Sequence, residues 1–296
     1  MLECAISAIS MLRQKHVKAL KLLYRLLRRY EYVPIHALAS KLGMKADTTR
    51  KILEYLMNME LIESRKRDYE GYKLTWCGLD TLALHKLRNL IELKEISHRI
   101  NVGKEADIYA CRGIDGRLYI VKTYRLGRTS FSKVKAKRPI YETTAGWLVM
   151  SSKAAKREFQ ILTKLWEVGV SVPKPIAHAY HMILMEFVPG RELYKARLKN
   201  PLSVFRTIIN ETLKAYTKAE IVHADLSEYN VIINEATEDI WIIDWSQWLP
   251  SDHLEAENYF RKDMENIVKF FHKKYRIDLN TLRGILEDTI RAFGKD

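Results

Sequence analysis

Residues 221–248 read "IVHADLSEYNVIINEATEDIWIIDWSQW". Asp225 follows His223 by two residues, Asn230 lies five beyond Asp225, and Asp244 lies fourteen beyond Asn230. Between the last two sit the apolar runs "VIIN" and "DIWII". Two such runs in succession predict a β-hairpin, whose two ends come together and deliver Asn230 and Asp244 to one face. An amide oxygen and a carboxylate are hard donors of the kind Mg²⁺ takes beside phosphate oxygens. Asp225 adds a carboxylate that can accept a proton from, or orient, an attacking hydroxyl or water. Turn capping by the two Asp residues is the plain alternative, and the two apolar strands between the polar groups favour the metal reading.

The bulk composition is compatible with that chemistry. A chain of 296 residues accommodates two compact domains or three small ones, and 47% hydrophobic with 29% charged residues supports a buried core. No apolar window reaches the length of a membrane span, so no membrane association is expected. The opening "MLECAISAISMLRQKHVKAL" carries Glu3 and lacks a basic leader and cleavage site, which argues against a signal peptide. Cys4, Cys77 and Cys111 are far apart and show no C-x-x-C spacing. That spacing argues against a zinc site and a disulfide framework, and for the reducing cytoplasm. Fifty Lys and Arg against 36 Asp and Glu leave a formal charge of +14, which favours a polyanionic partner or substrate.

Residues 1–90 read as mostly helical. Apolar residues at 17, 20, 23, 24 and 27 mark one helix face. Ile35, Leu38, Ala39 and Leu42 predict a short helix that Gly43 stops, and Asp47 is placed as the cap of the next helix. Strands are expected around Leu61-Ile62 and over "YKLTW", with "RDYEG" as their turn. Helix, turn, helix and hairpin form a winged-helix pattern, with Arg65, Lys66 and Arg67 in the wing. Such modules contact duplex DNA, RNA or protein, or brace a neighbour; RNA or protein contact is favoured here over duplex reading.

From Ile100 the texture becomes β-rich. "INVGKEADIYAC" and "RLYIVKTY" alternate, "SSKAAKREFQILTKLWEVG" is a helix, and "HMILMEFVPG" is a buried strand. "PLSVFRTIINETLKAYTKA" predicts a helix with Leu202, Phe205, Ile208, Ile209, Leu213 and Tyr216 on its apolar face, and two helical patterns follow near 255–273 and 279–293.

"HADLSEYN" fits H-x-D-L-x-x-x-N, the catalytic-loop pattern of protein kinases. Such an enzyme needs a strand lysine on the α/β-phosphates and a helix glutamate to position it. "YIVKTY" supplies Lys122 and "AKREFQIL" supplies Glu158, with Glu142 and Glu167 as competitors for the second role. Backbone groups of Glu186 and Val188 are candidates to hydrogen-bond adenine, and Met185 to line the back of that pocket or simply to pack. The phosphate loop departs from G-x-G-x-x-G: "NVGKEADIY" offers Gly103 alone, flanked by Val102 and by Lys104, whose charge compensates. No A-P-E follows Asp244, and the remaining chain is too short for an activation segment with a peptide-docking platform. Trp241, Trp245 and Trp248 read as packing, and His223 as a structural histidine of the loop.

The chain resembles the RIO family of atypical kinases, in its winged-helix (Rio-two) branch. The marks of this resemblance are "VGKEADIY", "YRLGRTSFSKVKAKR", "HADLSEYN", "IDWSQ" and the wing "RDYEG". It covers nearly the whole chain. It implies an α+β protein, with a winged helix over 1–92 and a minimal two-lobed kinase-like fold over 93–296, its N-lobe about 93–188 and C-lobe about 189–296. It implies binding of ATP with Mg²⁺ (or Mn²⁺), serine/threonine kinase and ATPase activity, and autophosphorylation, with Ser130 and Ser132 as candidate sites in the basic loop 127–139. It implies an aspartyl-phosphate intermediate at Asp244, a role in maturing the small ribosomal subunit, and contact with ribosomal RNA or a subunit precursor through the winged helix and basic loop. Where the family has a serine this chain has Ala106, and where it has a glycine this chain has Asn101, so no hydroxyl at 106 can touch phosphate. The lack of a long C-terminal tail gives the expectation of an archaeal source. The rival readings are a small-molecule phosphotransferase and a nucleic-acid-binding regulator on an inactive kinase fold.

Overall fold

The computed structural model describes residues 2–127 and 144–293. Ser130, Ser132, Glu142 and nearly all of the basic loop lie outside the described residues. The chain divides into two compact units, Met1–Lys156 with Ile176–Met185, and Arg157–Pro175 with Glu186–Asp296.

The first unit opens with the winged helix. Helices α1 (Glu3–Ile9), α2 (Gln14–Leu26), α3 (Ile35–Leu42) and α4 (Ala46–Asn58) alternate with strand β1 (Val33–Pro34), and β2 (Ile62–Lys66), β3 (Glu70–Leu74) and α5 (Trp76–Arg88) follow. Strands β2 and β3 pair antiparallel from Ile62–Leu74 to Lys66–Glu70, and β1 adds to the far side of β3. Leu20, Leu23, Leu38, Leu53, Leu56 and Leu74 are fully buried between helices and wing. Gly43 ends α3 in the left-handed conformation, φ 66°, with the Met44 N–H donating to Ala39 O at 3.0 Å.

Three details differ from expectation. Lys45, in extended conformation, precedes α4 with no side-chain cap, and Asp47 sits inside the first turn, where its carboxylate favours the positive helix end. Strand β3 ends at Leu74, because Thr75 caps α5 by accepting the Gly78 N–H at 3.1 Å, so Trp76 is helical. The spacing argument against a disulfide is also overturned. Cys4 and Cys77, 73 residues apart, are bonded and tie α1 to α5, while Cys111 is free and buried.

The unit continues with β4 (Leu93–Val102), β5 (Ala106–Gly113) and β6 (Leu118–Tyr124), then the first part of α6 (Thr144–Glu167), which from Arg157 on belongs to the second unit, and most of β7 (Pro175–Ala179) and β8 (Met182–Glu186). These strands form one sheet in the order β4-β5-β6-β8-β7. Alternation puts Tyr109, Cys111, Val121, Met182 and Leu184 into a core shared with Leu84 and Leu87 of α5. A buried polar cluster joins helix and sheet. The Arg125 guanidinium, just past β6, donates to both Asp80 oxygens at 2.6 and 2.7 Å, and His181 Nε2 lies 2.8 Å from Asp80 Oδ1.

The second unit holds β9 (Arg191–Glu192), α7 (Pro201–Thr217), β10 (Ile221–Val222), β11 (Val231–Ile233), β12 (Ile240–Ile242), a single 3₁₀ turn (Trp245–Gln247), β13 (Leu249–Pro250), α8 (Ala256–Tyr275) and α9 (Leu279–Phe293). Phe205, Ile208 and Ile209 of α7 bury against a core that includes Ile267, Val268 and Phe271 of α8, with the Phe205 and Phe271 rings 5.3 Å apart. Leu202, expected on the apolar face, is exposed, since it lies in the first turn, before α7 meets that core.

Candidate active site

The hairpin expected between Asn230 and Asp244 forms. Strands β11 and β12 pair antiparallel from Val231–Ile242 to Ile233–Ile240. One step further out the Ile243 N–H donates to Asn230 O at 2.9 Å, so Asn230 stands across from the residue preceding Asp244. Asp244 adopts a left-handed backbone, φ 63° and ψ 61°, which turns the chain out of the strand into the 3₁₀ turn.

Asp225 is held by its backbone while its side chain stays exposed. Asn230 Nδ2 donates to Asp225 O at 2.9 Å, which commits the amide nitrogen and leaves Oδ1 as the acceptor end. His223 is buried. Its Nδ1 accepts the Asp225 N–H at 3.3 Å and its Nε2 lies 3.0 Å from Ile243 O, an arrangement matched by the tautomer with its hydrogen on Nε2. It therefore bridges the loop and the far strand, the structural role expected of it. Trp245, fully buried, tilts against His223 at 4.6 Å and donates to Ile242 O at 3.1 Å, which is packing as expected.

Helix α8 supplies what sequence reasoning missed. The buried Asp263 accepts the N–H groups of Ala224 at 2.8 Å and Leu226 at 2.9 Å, the two amides flanking Asp225. Asn266, one turn on, donates to Leu226 O at 3.0 Å. Burial pushes the Asp263 carboxyl up to about 6 against the opposing pull of those two amides. These contacts hold Ala224 at φ 66°, a left-handed conformation unusual for a residue with a Cβ. The only signal in the sequence is an acid on an apolar stripe, since Phe260, Met264 and Ile267 share its helix face.

The hairpin is braced on its other side. Strand β9 pairs with β11 through Arg191–Ile233 and Glu192–Ile232. Gly190, at φ 156°, brings its backbone so close to Ile233 that an added Cβ would collide with the Ile233 carbonyl. The Ile242 N–H also donates to Ser171 O at 2.8 Å, and the Ser171 N–H to Glu211 at 2.7 Å.

The remaining sequence-predicted residues divide between the units. In the first, Val102 ends β4 and is exposed, and Gly103 donates its N–H to Ala106 O at 2.8 Å to close the turn into β5. A Cβ on Gly103 would lie 2.9 Å from that same oxygen, so the single glycine is needed for the turn itself. Asn101, the departure from the family pattern, accepts the Val102 N–H at 2.7 Å, and Lys104 is exposed at the turn. Lys122 is buried on β6 opposite Ile108, and Met185 is buried on β8. In the second unit Glu158 is buried on α6. The Glu186 amide donates to Lys174 O at 2.9 Å, which leaves its carbonyl rather than its N–H for any ligand, and Val188 is half-buried two residues on. Among the described residues no cluster of three or more His, Cys, Asp or Glu is arranged to hold a metal. The donor set of the hairpin, one amide oxygen and one carboxylate, fits a Mg²⁺ that shares its remaining positions with phosphate and water.

A winged helix, a five-stranded sheet with a buried strand lysine, and a hairpin presenting Asn and Asp beside an exposed loop Asp define a protein-kinase-like fold. The family model of the RIO domain matches residues 107–282 and that of the Rio2 N-terminal domain residues 9–90. The chain belongs to the RIO family, in its Rio2 branch. It is 35% identical to the RIO-type serine/threonine-protein kinase Rio2 of Methanocaldococcus jannaschii, over 85% of this chain and 94% of that one. It is 34% identical to the serine/threonine-protein kinase rio2 of Dictyostelium discoideum over 84% of this chain, and spans about half (48%) of that longer relative. The structure of the Rio2 kinase–ADP/Mg²⁺–phosphoaspartate complex from Chaetomium thermophilum superposes with a TM-score of 0.80, at 27% identity over 98% of both chains.

Proposed function

We propose that this chain is an ATP- and Mg²⁺-dependent serine/threonine kinase and ATPase that works in the cytoplasm on maturing small ribosomal subunits. The observation that carries the reading is the hairpin that sets Asn230 across from Ile243, next to Asp244, with the Asp225 backbone tied to Asn230. In this reading Lys122 anchors the α/β-phosphates, Glu158 positions that lysine, and the turn at Val102, Gly103 and Lys104 covers the phosphates. The Glu186 carbonyl and Val188 meet adenine, with Met185 behind it. Mg²⁺, held by Asn230 and Asp244, neutralises charge on the transferring phosphoryl group. Asp225, exposed on a fixed backbone, orients the attacking hydroxyl or water and takes its proton. The left-handed turn at Asp244 projects its carboxylate from the end of a strand, in keeping with a second role as phosphoryl acceptor. The phosphoaspartate of the Chaetomium relative supports that role.

Single-turnover reactions with γ-labelled ATP and Mg²⁺ test this, with free phosphate and protein-bound label followed together. Hydroxylamine-labile label that disappears in Asp244→Ala supports the aspartyl-phosphate cycle. Stable label on serine, lost in Asp225→Asn, supports a protein kinase. A wild type that binds ATP without turnover sinks the catalytic reading and leaves a nucleotide-dependent regulator.

A further inference from the structure

A cavity of about 570 Å³ lies within the first unit, walled by α2, the end of α5, α6 and β7. Lys21 and Arg28 enter it from α2 and the residues just past it, Lys86 from α5, and Lys153 and Lys156 from α6. No aspartate or glutamate lines it. Lys21, Arg28, Lys153 and Lys156 have no ion-pair partner among the described residues. Cations that converge in a concavity without counter-charge repel one another, and an arriving anion relieves that repulsion. His85 is held below its usual pKa by burial, then by Lys21 and Arg88, and His178 by burial with Lys86 and Lys156 contributing.

The cavity also has an aromatic wall. Tyr24 sits one turn from both Lys21 and Arg28, and its ring meets Tyr180 edge-on at 4.8 Å. Asn89 adds an amide to the rim. Charge for the backbone, a ring face for stacking and an amide for a base edge are the parts of a site for an unpaired nucleotide. A duplex, convex and stacked, does not fill a recess of this kind.

We infer that this cavity binds a segment of single-stranded RNA, its phosphates on Lys21, Arg28, Lys153 and Lys156 and one unstacked base against Tyr24 and Tyr180. The inference rests on the RNA-contact part of the functional reading and moves that contact from the wing to the junction of α2, α5 and α6.

The test is fluorescence anisotropy of a labelled 12-nucleotide RNA lacking secondary structure, without ATP, across a salt series. The probe protein is the full chain, as wild type, as Lys21→Gln/Arg28→Gln/Lys153→Gln, and as Arg65→Gln/Lys66→Gln/Arg67→Gln. All six positions are solvent-facing or on the wing, and circular dichroism checks each fold. Removing three phosphate contacts should lower the salt slope by about 2 and weaken binding roughly 100-fold at 0.1 M salt. An abasic strand of equal length should bind several-fold more weakly than the RNA. Equal loss in the cavity and wing variants, or loss in the wing variant alone, overturns the cavity assignment while leaving RNA contact standing. Displacement of the strand by inorganic tripolyphosphate at matched phosphate concentration marks a small-polyanion site and also overturns it. A wild type that binds no RNA removes both the inference and the RNA part of the functional reading, without touching the ATP chemistry.

Discussion

The Arg125 guanidinium lies 2.6 and 2.7 Å from the two carboxylate oxygens of Asp80, with both side chains almost wholly buried. Asp80 belongs to α5 and Arg125 is the residue just past β6. His181 closes the cluster at 2.8 Å, and the Trp76 ring lies 4.9 Å from the Arg125 guanidinium. Breaking such a pair from one side strands a buried charge. Asp80→Ala should therefore cost about 3–5 kcal/mol in urea denaturation. A loss under about 1 kcal/mol would mean that the cation escapes to water, contrary to its burial.

The same region should be acid-sensitive. Burial holds His181 below the ordinary histidine value of 6.5, with Asp80 opposing, and burial likewise lowers His16, His85 and His178. A histidine whose folded pKa is depressed contributes stability above pH 6.5 and loses it as pH falls toward the folded value, because the unfolded chain binds the proton first. The melting temperature should thus decline as pH drops from 7 toward 5. The buried Asp263 opposes this, since a carboxyl raised from 3.8 to about 6 favours the folded state below 3.8 and loses that contribution as pH rises through 6. Asp263→Asn should therefore steepen the acid decline between pH 6 and pH 4. An unchanged profile in that variant would contradict the assignment.

Asp263→Ala removes the acceptor for two amides at once. The expected cost is about 1–3 kcal/mol for each amide left unpaired. Turnover should fall more than ATP affinity, because Asp225 loses its fixed backbone while the nucleotide contacts stand. Nucleotide affinity by calorimetry and single-turnover rates separate the two effects, and a matched fall in both would point to general unfolding instead.

Gly190→Ala should disrupt the hairpin from outside. Its φ of 156° and its closeness to the Ile233 carbonyl leave no room for a Cβ, so β9 must detach from β11. Hydrogen exchange at Ile233, whose amide faces β9, should accelerate about tenfold or more, while Ile232, whose amide faces β12, should change little. Slow exchange in the variant would show that the strand accommodates the methyl group.

The spacing of Asp225, Asn230 and Asp244 was readable because a hairpin is local, so fourteen residues of alternating chain suffice to predict that its ends meet. The place of Lys122 on a strand was readable for the same reason, from the local β-rich run around it. Asp263 was not, because its partners Ala224 and Leu226 lie 39 and 37 residues away and no short-range pattern links them. Asp80, Arg125 and His181 converge across 45 and 101 residues, and Cys4 meets Cys77 across 73. Spacing rules for cysteines address short motifs and do not register pairing of that range. Asp47 shows the limit at the local scale: an acid near a helix start serves the cap or the first turn equally well, and only backbone geometry distinguishes them.

Ala224 and Asp244 both hold left-handed backbones, at φ 66° and 63°, without being glycine. Each such residue costs on the order of 1–2 kcal/mol relative to a relaxed backbone. A glycine at 224 would relieve that penalty in the folded chain and widen the freedom of the unfolded one, so its net effect on melting is small. Its effect on the loop would be larger, since the methyl group restricts where the neighbouring carboxylate can wander. Selection for thermal robustness would thus be nearly indifferent to alanine or glycine at this position, while selection for rate would keep the methyl group.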